Sequence, residues 1–309
     1  MHGIPCTGFF GETMASESLN IRRPTIVIVG PTASGKTALA IELAKKHNGE
    51  IICADSRTVY KGLDIGTAKP TKRERSTVQH WGIDLVQPGE LFTVADFQRY
   101  TLSKMSEIYG RKHIPFLVGG TGLYVDSVVY DFRFPPRNEK LLRSLQDKTL
   151  EELIKYCEKN NVPLPNNYKN RRHLISAILR KGVDLKRSVK PQDGMIVVGI
   201  ATDKEVLRTR IIERAEQIFS SNVVEETIKV VERYGWESQS LTGNIYPIIK
   251  KLLAKDITIE QAKQDFCTAD WRLAKRQMTW LRRDKNIKWL EREDAYTYLD
   301  RRLALVNKM

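Results

Sequence analysis

Cysteine is scarce in this chain: Cys6, Cys53, Cys157 and Cys267 are the four in 309 residues. No two stand close enough for a zinc-binding pair, and their scatter is not the framework of a disulfide-stapled protein. A reduced, cytoplasmic setting is the expectation. No apolar run approaches the ~20 residues that span a bilayer, so no membrane partner is expected. Residues 1–22 lack both a basic start and an apolar stretch, which argues against a secretory signal. With Gly3, Pro5, Gly8 and Gly11 they read as a disordered leader. The five histidines show no metal-ligand spacing, and His47, His80 and His113 read as structural. Acidic residues are also in deficit, 37 against 51 basic ones, for a net charge of +14. An enzyme of small metabolites rarely needs that excess. A polyanionic partner accounts for it, nucleic acid first; a basic surface kept for solubility is the plainer account.

What is present begins with Gly30-Pro31-Thr32-Ala33-Ser34-Gly35-Lys36-Thr37. This is glycine, four residues, then Gly-Lys-Thr, the phosphate-loop pattern. The β-branched run Thr25 to Val29 precedes it and reads as a buried strand. Ala38 to Lys46 follows and reads as a helix. Backbone N–H groups and the helix dipole then converge on an anion. Lys36 adds positive charge, and the Thr37 hydroxyl can hold a magnesium ion. A glycine turn without a ligand is the plainer account of the same residues.

Further strands are expected at Glu50–Ala54, Ile114–Val118 and Met195–Ile200, with helices between them. The alternation predicts an α/β fold of the phosphate-loop, kinase-like class, a parallel sheet flanked by helices. Ligands bind such sheets at the carboxyl ends of the strands. The phosphate loop, Asp55-Ser56 and Gly119 to Gly122 should therefore share one edge. Residues 135–191 are helical, charged and bordered by prolines, and read as an inserted helical domain. Residues 23–134 and 192–309 would form the core, which is read as almost wholly helical beyond Asp203.

Asp55 closes an apolar strand beside the phosphate loop. It suits a magnesium ligand or a general base; a helix cap is the plainer role. In Gly119-Gly120-Thr121-Gly122 the glycines permit close backbone approach to a ligand, and the Thr121 hydroxyl could bond a phosphate, a base or a reacting amine. Arg210 and Arg214 share a helix face, as arginines that close over phosphates would, or as a solvated charged face would. From Trp271 to Trp280, tryptophans alternate with Arg272, Lys275 and Arg276, which suits RNA contact and base stacking as well as an amphipathic core helix.

These residues resemble the bacterial-type tRNA dimethylallyltransferases (tRNA isopentenyltransferases). The resemblance rests on residues 30–40, on the stretch 55–70 ending Asp-Ile-Gly-Thr-Ala-Lys-Pro, on Val94 to Phe97, on 118–124 and on Ala274 to Trp280, in family order. It implies transfer of a dimethylallyl group from dimethylallyl diphosphate to N6 of the adenosine just 3′ of the tRNA anticodon. It also implies a flipped-out adenine and magnesium on the diphosphate. Asp55 would accept the amine proton and Thr121 would orient the amine or the diphosphate. Gly30 through Thr37 with Arg210 and Arg214 would hold the diphosphate. Contacts to tRNA are implied at Asp55, Ser56, Arg57, Thr58, Thr121 and Arg143, and from Arg171, Arg172, His173, Leu174 and Ile175, with Lys275 and Arg276 on the basic C-terminal helices. A monomer is expected.

The chain departs from the family at Thr58, where glutamine is frequent, and at Ser176 to Leu179. It also departs at Thr242-Gly243-Asn244-Ile245-Tyr246-Pro247, where Ile-Gly-Tyr is usual. These changes read as touching RNA recognition more than transfer. Competing readings are a phosphate-loop kinase of a small metabolite, an adenylate isopentenyltransferase acting on free AMP, and a non-catalytic RNA-binding module.

Overall fold

The computed structural model describes residues 24–136, 138–182 and 186–306, apart from the side chains of Arg172 and Val306. The expected leader and Cys6 lie outside the described residues.

Strands β1 (Thr25–Val29), β2 (Gly49–Cys53), β3 (His80–Trp81), β4 (Ile114–Gly119), β5 (Met195–Ile200) and β6 (Lys288–Leu290) form one sheet in the order β3-β2-β4-β1-β5-β6. Every neighbouring pair is parallel. β1 and β4 are buried along their whole length, which is why they read as unbroken apolar runs rather than as alternating ones. Register is fixed on both sides of β1, where Val27 stands opposite Leu117 and Val197.

The helices are α1 (Lys36–Lys46), α2 (Lys72–Thr77), α3 (Val94–Gly110), α4 (Gly122–Val129), α5 (Glu139–Gln146), α6 (Leu150–Lys159), α7 (Arg171–Leu179), α8 (Lys204–Ser220), α9 (Val223–Tyr234), α10 (Tyr246–Leu253), α11 (Ile259–Leu281) and α12 (Arg292–Val306). Alternation along the strands splits the core in two. Val27, Val29, Ile52 and Leu117 face α3, α4 and the helices from α8 to α11. Ile26, Ile28, Ile51 and Phe116 face α1 and α12, where Leu39, Leu43, Leu299 and Leu303 are fully buried. Both faces are thus covered, as a parallel sheet requires.

Beyond Asp203 the described residues are almost wholly helical, as expected, with β6 the short strand among the helices. β3 and β6 are absent from the sequence reading. Both are short and only partly buried, so neither carries an apolar run. Helix starts carry local signals in the chain. Thr93 and Asp96 close a capping box on α3, as do Thr149 and Glu152 on α6 and Thr258 and Gln261 on α11. Helices α5 to α7 enclose a small apolar cluster of their own, around Leu145, Leu153, Cys157 and Leu174. The chain entering and leaving them is paired at Arg133, whose N–H bonds the Lys186 carbonyl at 2.8 Å.

Candidate active site

Parallel pairing brings the carboxyl ends of β1, β2 and β4 to one edge. The loop Gly30–Gly35 leaves β1 there and runs into the N-terminus of α1. Gly35 has φ +84°, a conformation that side chains disfavour, and Arg210 Nη1 lies 3.4 Å from where its Cβ would stand. Ala33 shares the positive-φ region at +61°. Lys36 folds back to donate to the Pro31 carbonyl at 3.0 Å. Burial lowers its ammonium to about 8, against the pull of Asp55. Among the described residues the Ser34 hydroxyl and Arg214 Nε are buried without hydrogen-bond partners. A buried lysine, a hydroxyl without a hydrogen bond and a guanidinium nitrogen held only by a 3.6 Å ion pair to Asp270, all around one helix N-terminus, fit a polyanionic ligand.

Arg214 Nη1 donates to Thr32 Oγ1 at 3.0 Å, so α8 reaches the loop as its spacing suggested. Arg208 turns elsewhere, to Glu205 and the Trp271 ring. Two residues escaped the sequence reading. Asp270 on α11, 2% exposed, sits 3.5 Å from Thr32 Oγ1 and 3.6 Å from Arg214 Nε. Gln277, two turns further along the same face, accepts the Thr32 N–H at 2.7 Å. Both lie seven residues apart on a helix read for its basic and aromatic residues, and that spacing is the signal that marked their shared face.

Asp55 leaves β2 at the same edge. Its Oδ1 accepts the Arg57 N–H at 2.8 Å, a turn-forming bond in place of the helix cap weighed above. No hydrogen bond to Oδ2 is made among the described residues, while the carboxylate faces the Lys36 charge. Thr121 Oγ1 accepts the Ser56 N–H at 3.1 Å, and the Thr121 N–H donates to the Ala54 carbonyl at 3.2 Å. Asp55 and Thr121 are thereby tied into one turn. Arg57 anchors that turn outward, donating to the Gln239 carbonyl at 3.1 Å and to Thr242 Oγ1 at 2.7 Å.

The glycines at the end of β4 are closely packed by protein. A Cβ would fall 2.1 Å from the Ala54 carbonyl oxygen at Gly119, 2.4 Å from Gln277 Nε2 at Gly120 and 2.0 Å from Trp280 Cδ1 at Gly122. Asn244 is reassigned: Nδ2 donates to Asp270 Oδ1 at 3.1 Å, which puts this departure beside the phosphate loop. Thr58 is buried and bonds the Asp55 carbonyl at 3.3 Å, within the turn.

Of the residues expected to meet RNA, Arg143 and His173 are exposed, as are Lys275 and Arg276. Arg171 is exposed and its Nη2 donates to the Gln146 carbonyl at 2.6 Å. Leu174 is fully buried among α5 to α7, and Ile175 packs against that cluster. The Leu174 side chain thus serves packing, which corrects its expected role in RNA contact. Nothing is described of the Arg172 side chain, which lies outside the described residues. The three histidines find structural partners, His47 with Asp300, His80 with the Val78 carbonyl and His113 with Glu50.

Strand, phosphate loop and helix, with arginines from α8 closing on the loop, define a protein of the phosphate-loop α/β class. A family model described as IPP transferase matches residues 58–284, and one described as isopentenyl transferase matches residues 24–84. The tRNA dimethylallyltransferase of Natranaerobius thermophilus is 36% identical over 291 residues, covering 88% of each chain. That of Bacillus subtilis is 33% identical over 279 residues, covering 85% of this chain and 89% of the relative. The full-length tRNA isopentenylpyrophosphate transferase of Bacillus halodurans is similar in structure, with a TM-score of 0.69 at 32% identity over 93% of this chain and 98% of its own. A eukaryotic dimethylallyltransferase acting on tRNA, 23% identical with a TM-score of 0.67, shares the fold. The chain belongs to the tRNA dimethylallyltransferase family, and is an enzyme of the prenyl-transferring class. No helix among the described residues is long and apolar enough to cross a membrane.

Proposed function

We propose that this chain transfers the dimethylallyl group of dimethylallyl diphosphate to N6 of the adenosine 3′ of the anticodon in tRNA, releasing diphosphate. The observation that carries this reading is the tie between Asp55 and Thr121 in one turn, beside a loop built for phosphate. N6 attacks the allylic carbon, the bond from that carbon to the diphosphate oxygen breaks, and the amine proton passes to Asp55 Oδ2. Thr121 Oγ1 already accepts from Ser56, so its own proton is available to the amine or to a diphosphate oxygen. Charge growing on the leaving diphosphate meets the loop N–H groups, Lys36, Arg210 and Arg214. No nucleotide hydrolysis is needed.

Magnesium fits this site as a passenger on the diphosphate. Among the described residues no group of three His, Cys, Asp or Glu side chains could hold a metal. Thr37 would supply the protein oxygen and the diphosphate the rest, in keeping with magnesium's use of few protein ligands. Bound there, it would neutralise charge on the leaving group.

The target base must leave its stack to reach Asp55. Segment 135–191, with Arg143 and Arg171 exposed, would grip the anticodon stem-loop, and Lys275 and Arg276 would meet the backbone from the other side. The +14 charge serves the same partner. A monomer at work in the cytoplasm completes the reading.

The test is a transfer assay with radiolabelled dimethylallyl diphosphate, magnesium, and either unmodified tRNA or AMP. Label on tRNA supports the proposal. Label on AMP alone makes the enzyme a maker of free prenylated nucleotide. Label on neither, with ATP consumed in the presence of a small metabolite, makes it a kinase.

A further inference from the structure

α11 presents two adjoining faces to different tasks. Asp270, Ala274, Gln277 and Leu281 turn inward, with Asp270 and Gln277 at the phosphate loop. Arg272, Arg276 and Trp280 recur every fourth residue and are exposed, and Arg283 continues the stripe past the helix end. Trp280 is the aromatic in this basic row. It is 36% exposed, yet it is fixed. Its five-membered ring abuts Gly122, where any Cβ would collide with it. Its Nε1 donates to Asp126 Oδ2 at 2.9 Å. The Arg283 guanidinium lies 5.5 Å from the ring centre.

Such an arrangement costs something. Asp126 is held largely out of water, and burial pushes its carboxyl up to about 6 even with the indole bond opposing. A tryptophan needed only for packing would be turned inward, as Tyr124 and Phe97 are on the neighbouring helices. Here the ring is locked at one side and open at the other. It packs on Gly122, the residue that follows Thr121, among exposed arginines. An adenosine extruded for reaction leaves its neighbours in the strand without a stacking partner. A rigid aromatic surface within a cationic rim is the usual substitute for a lost base.

Resting on the transfer reading above, we propose that Trp280 is the stacking platform for a nucleobase adjacent in the RNA to the target adenosine. Arg276 and Arg283 take the flanking phosphates, and Asp126 holds the indole in place. The ligand class is an unpaired, unstacked ribonucleotide.

The experiment is a cycle between protein and RNA. Anticodon hairpins are made intact or with an abasic nucleotide on either side of the target adenosine. Binding and transfer are measured for the native chain, W280F and W280A. W280A weakens binding of the intact hairpin by roughly 5- to 100-fold, and W280F recovers most of it. On one of the two abasic hairpins, W280A and the native chain bind alike. The KM for dimethylallyl diphosphate is expected to stay unchanged, since the indole packs on Gly122 and bonds Asp126 rather than the phosphate loop. Should W280A fail to fold, W280L keeps bulk against Gly122 without an aromatic face and carries the same expectation. A loss of equal size on intact and both abasic hairpins, or no loss on the intact one, overturns the assignment. A native chain that modifies no RNA overturns the transfer reading instead, which keeps the two failures apart.

Discussion

The side-chain carbonyl of Gln277 accepts the backbone N–H of Thr32 at 2.7 Å, across 245 positions of the sequence. A helix near the end of the chain thus fixes the shape of a loop near its start. That N–H would otherwise be one more donor available to phosphate, so Gln277 decides which loop groups face the ligand. Gly120 is the gap that lets the amide approach.

Replacing Gln277 by alanine releases the Thr32 N–H and leaves a void against Gly120. A lost buried hydrogen bond costs about 1–3 kcal/mol. The expected outcome is a donor KM raised roughly tenfold or more, with RNA affinity within about threefold of native. Q277E restores an acceptor but adds a negative charge beside the diphosphate, and should weaken donor binding further. Steady-state kinetics at saturating tRNA checks both.

Asn244 is expected to act on the donor side although it touches no donor. It steadies Asp270, whose other oxygen faces Thr32 and Arg214. N244G should raise donor KM several-fold, and D270N should do the same. The double variant should lose less than the sum, because one network is broken in both. Additive losses would separate Asn244 from the phosphate site.

Diphosphate affinity should depend on pH through Lys36. Its free-enzyme value is lowered to about 8, chiefly by burial. A bound polyanion favours the charged form and raises that value again. Below about 8 the lysine is already protonated and binding is at its strongest. Above it, binding takes up a proton and affinity falls by up to about tenfold per unit. Calorimetry in buffers of different ionisation enthalpy reads the uptake directly. K36M should bind weakly and show no such slope.

At the opposite edge of the sheet, Glu50 should govern acid stability. Burial would raise its carboxyl, but hydrogen bonds from Arg111, Trp81 and His113 outweigh burial and hold it below the ordinary 4.5. A lowered value means stability that is present above about 4.5 and lost as pH falls through the folded-state value. Denaturant midpoints should drop steeply there for the native chain. E50Q should be less stable at neutral pH by roughly 1–3 kcal/mol, with a flatter acid limb.

The sheet centre and the phosphate loop were legible because each depends on local sequence. A strand buried on both faces must be apolar throughout, and the loop needs its glycines and lysine at fixed spacing. β3 and β6 were hidden because an edge strand of two or three half-buried residues leaves no periodic signal. The linkages of the site were hidden for another reason. Asp270, Gln277 and Asn244 matter through partners more than 20 residues away in sequence, and only folding brings those together. Arg210 and Arg214 were visible by their shared helix face. The glycines after β4 were visible as glycines, but what they accommodate, the Ala54 carbonyl, Gln277 and Trp280, is a property of the packed structure. Leu174 shows the opposite error, a position carried over from the family's RNA-binding stretch that the helix turns into its own core.

The most direct test of the account is nucleoside mass spectrometry of unmodified tRNA after incubation with dimethylallyl diphosphate and either the native chain or D55N. With the native chain, the adenosine 3′ of the anticodon should gain one C5H8 group, and no other nucleoside should. With D55N the same product should form roughly 10²- to 10⁴-fold more slowly, while the tRNA binds as before. Product at the native rate from D55N would remove Asp55 as the base, and no gain of mass on any tRNA adenosine with the native chain would contradict the transfer itself.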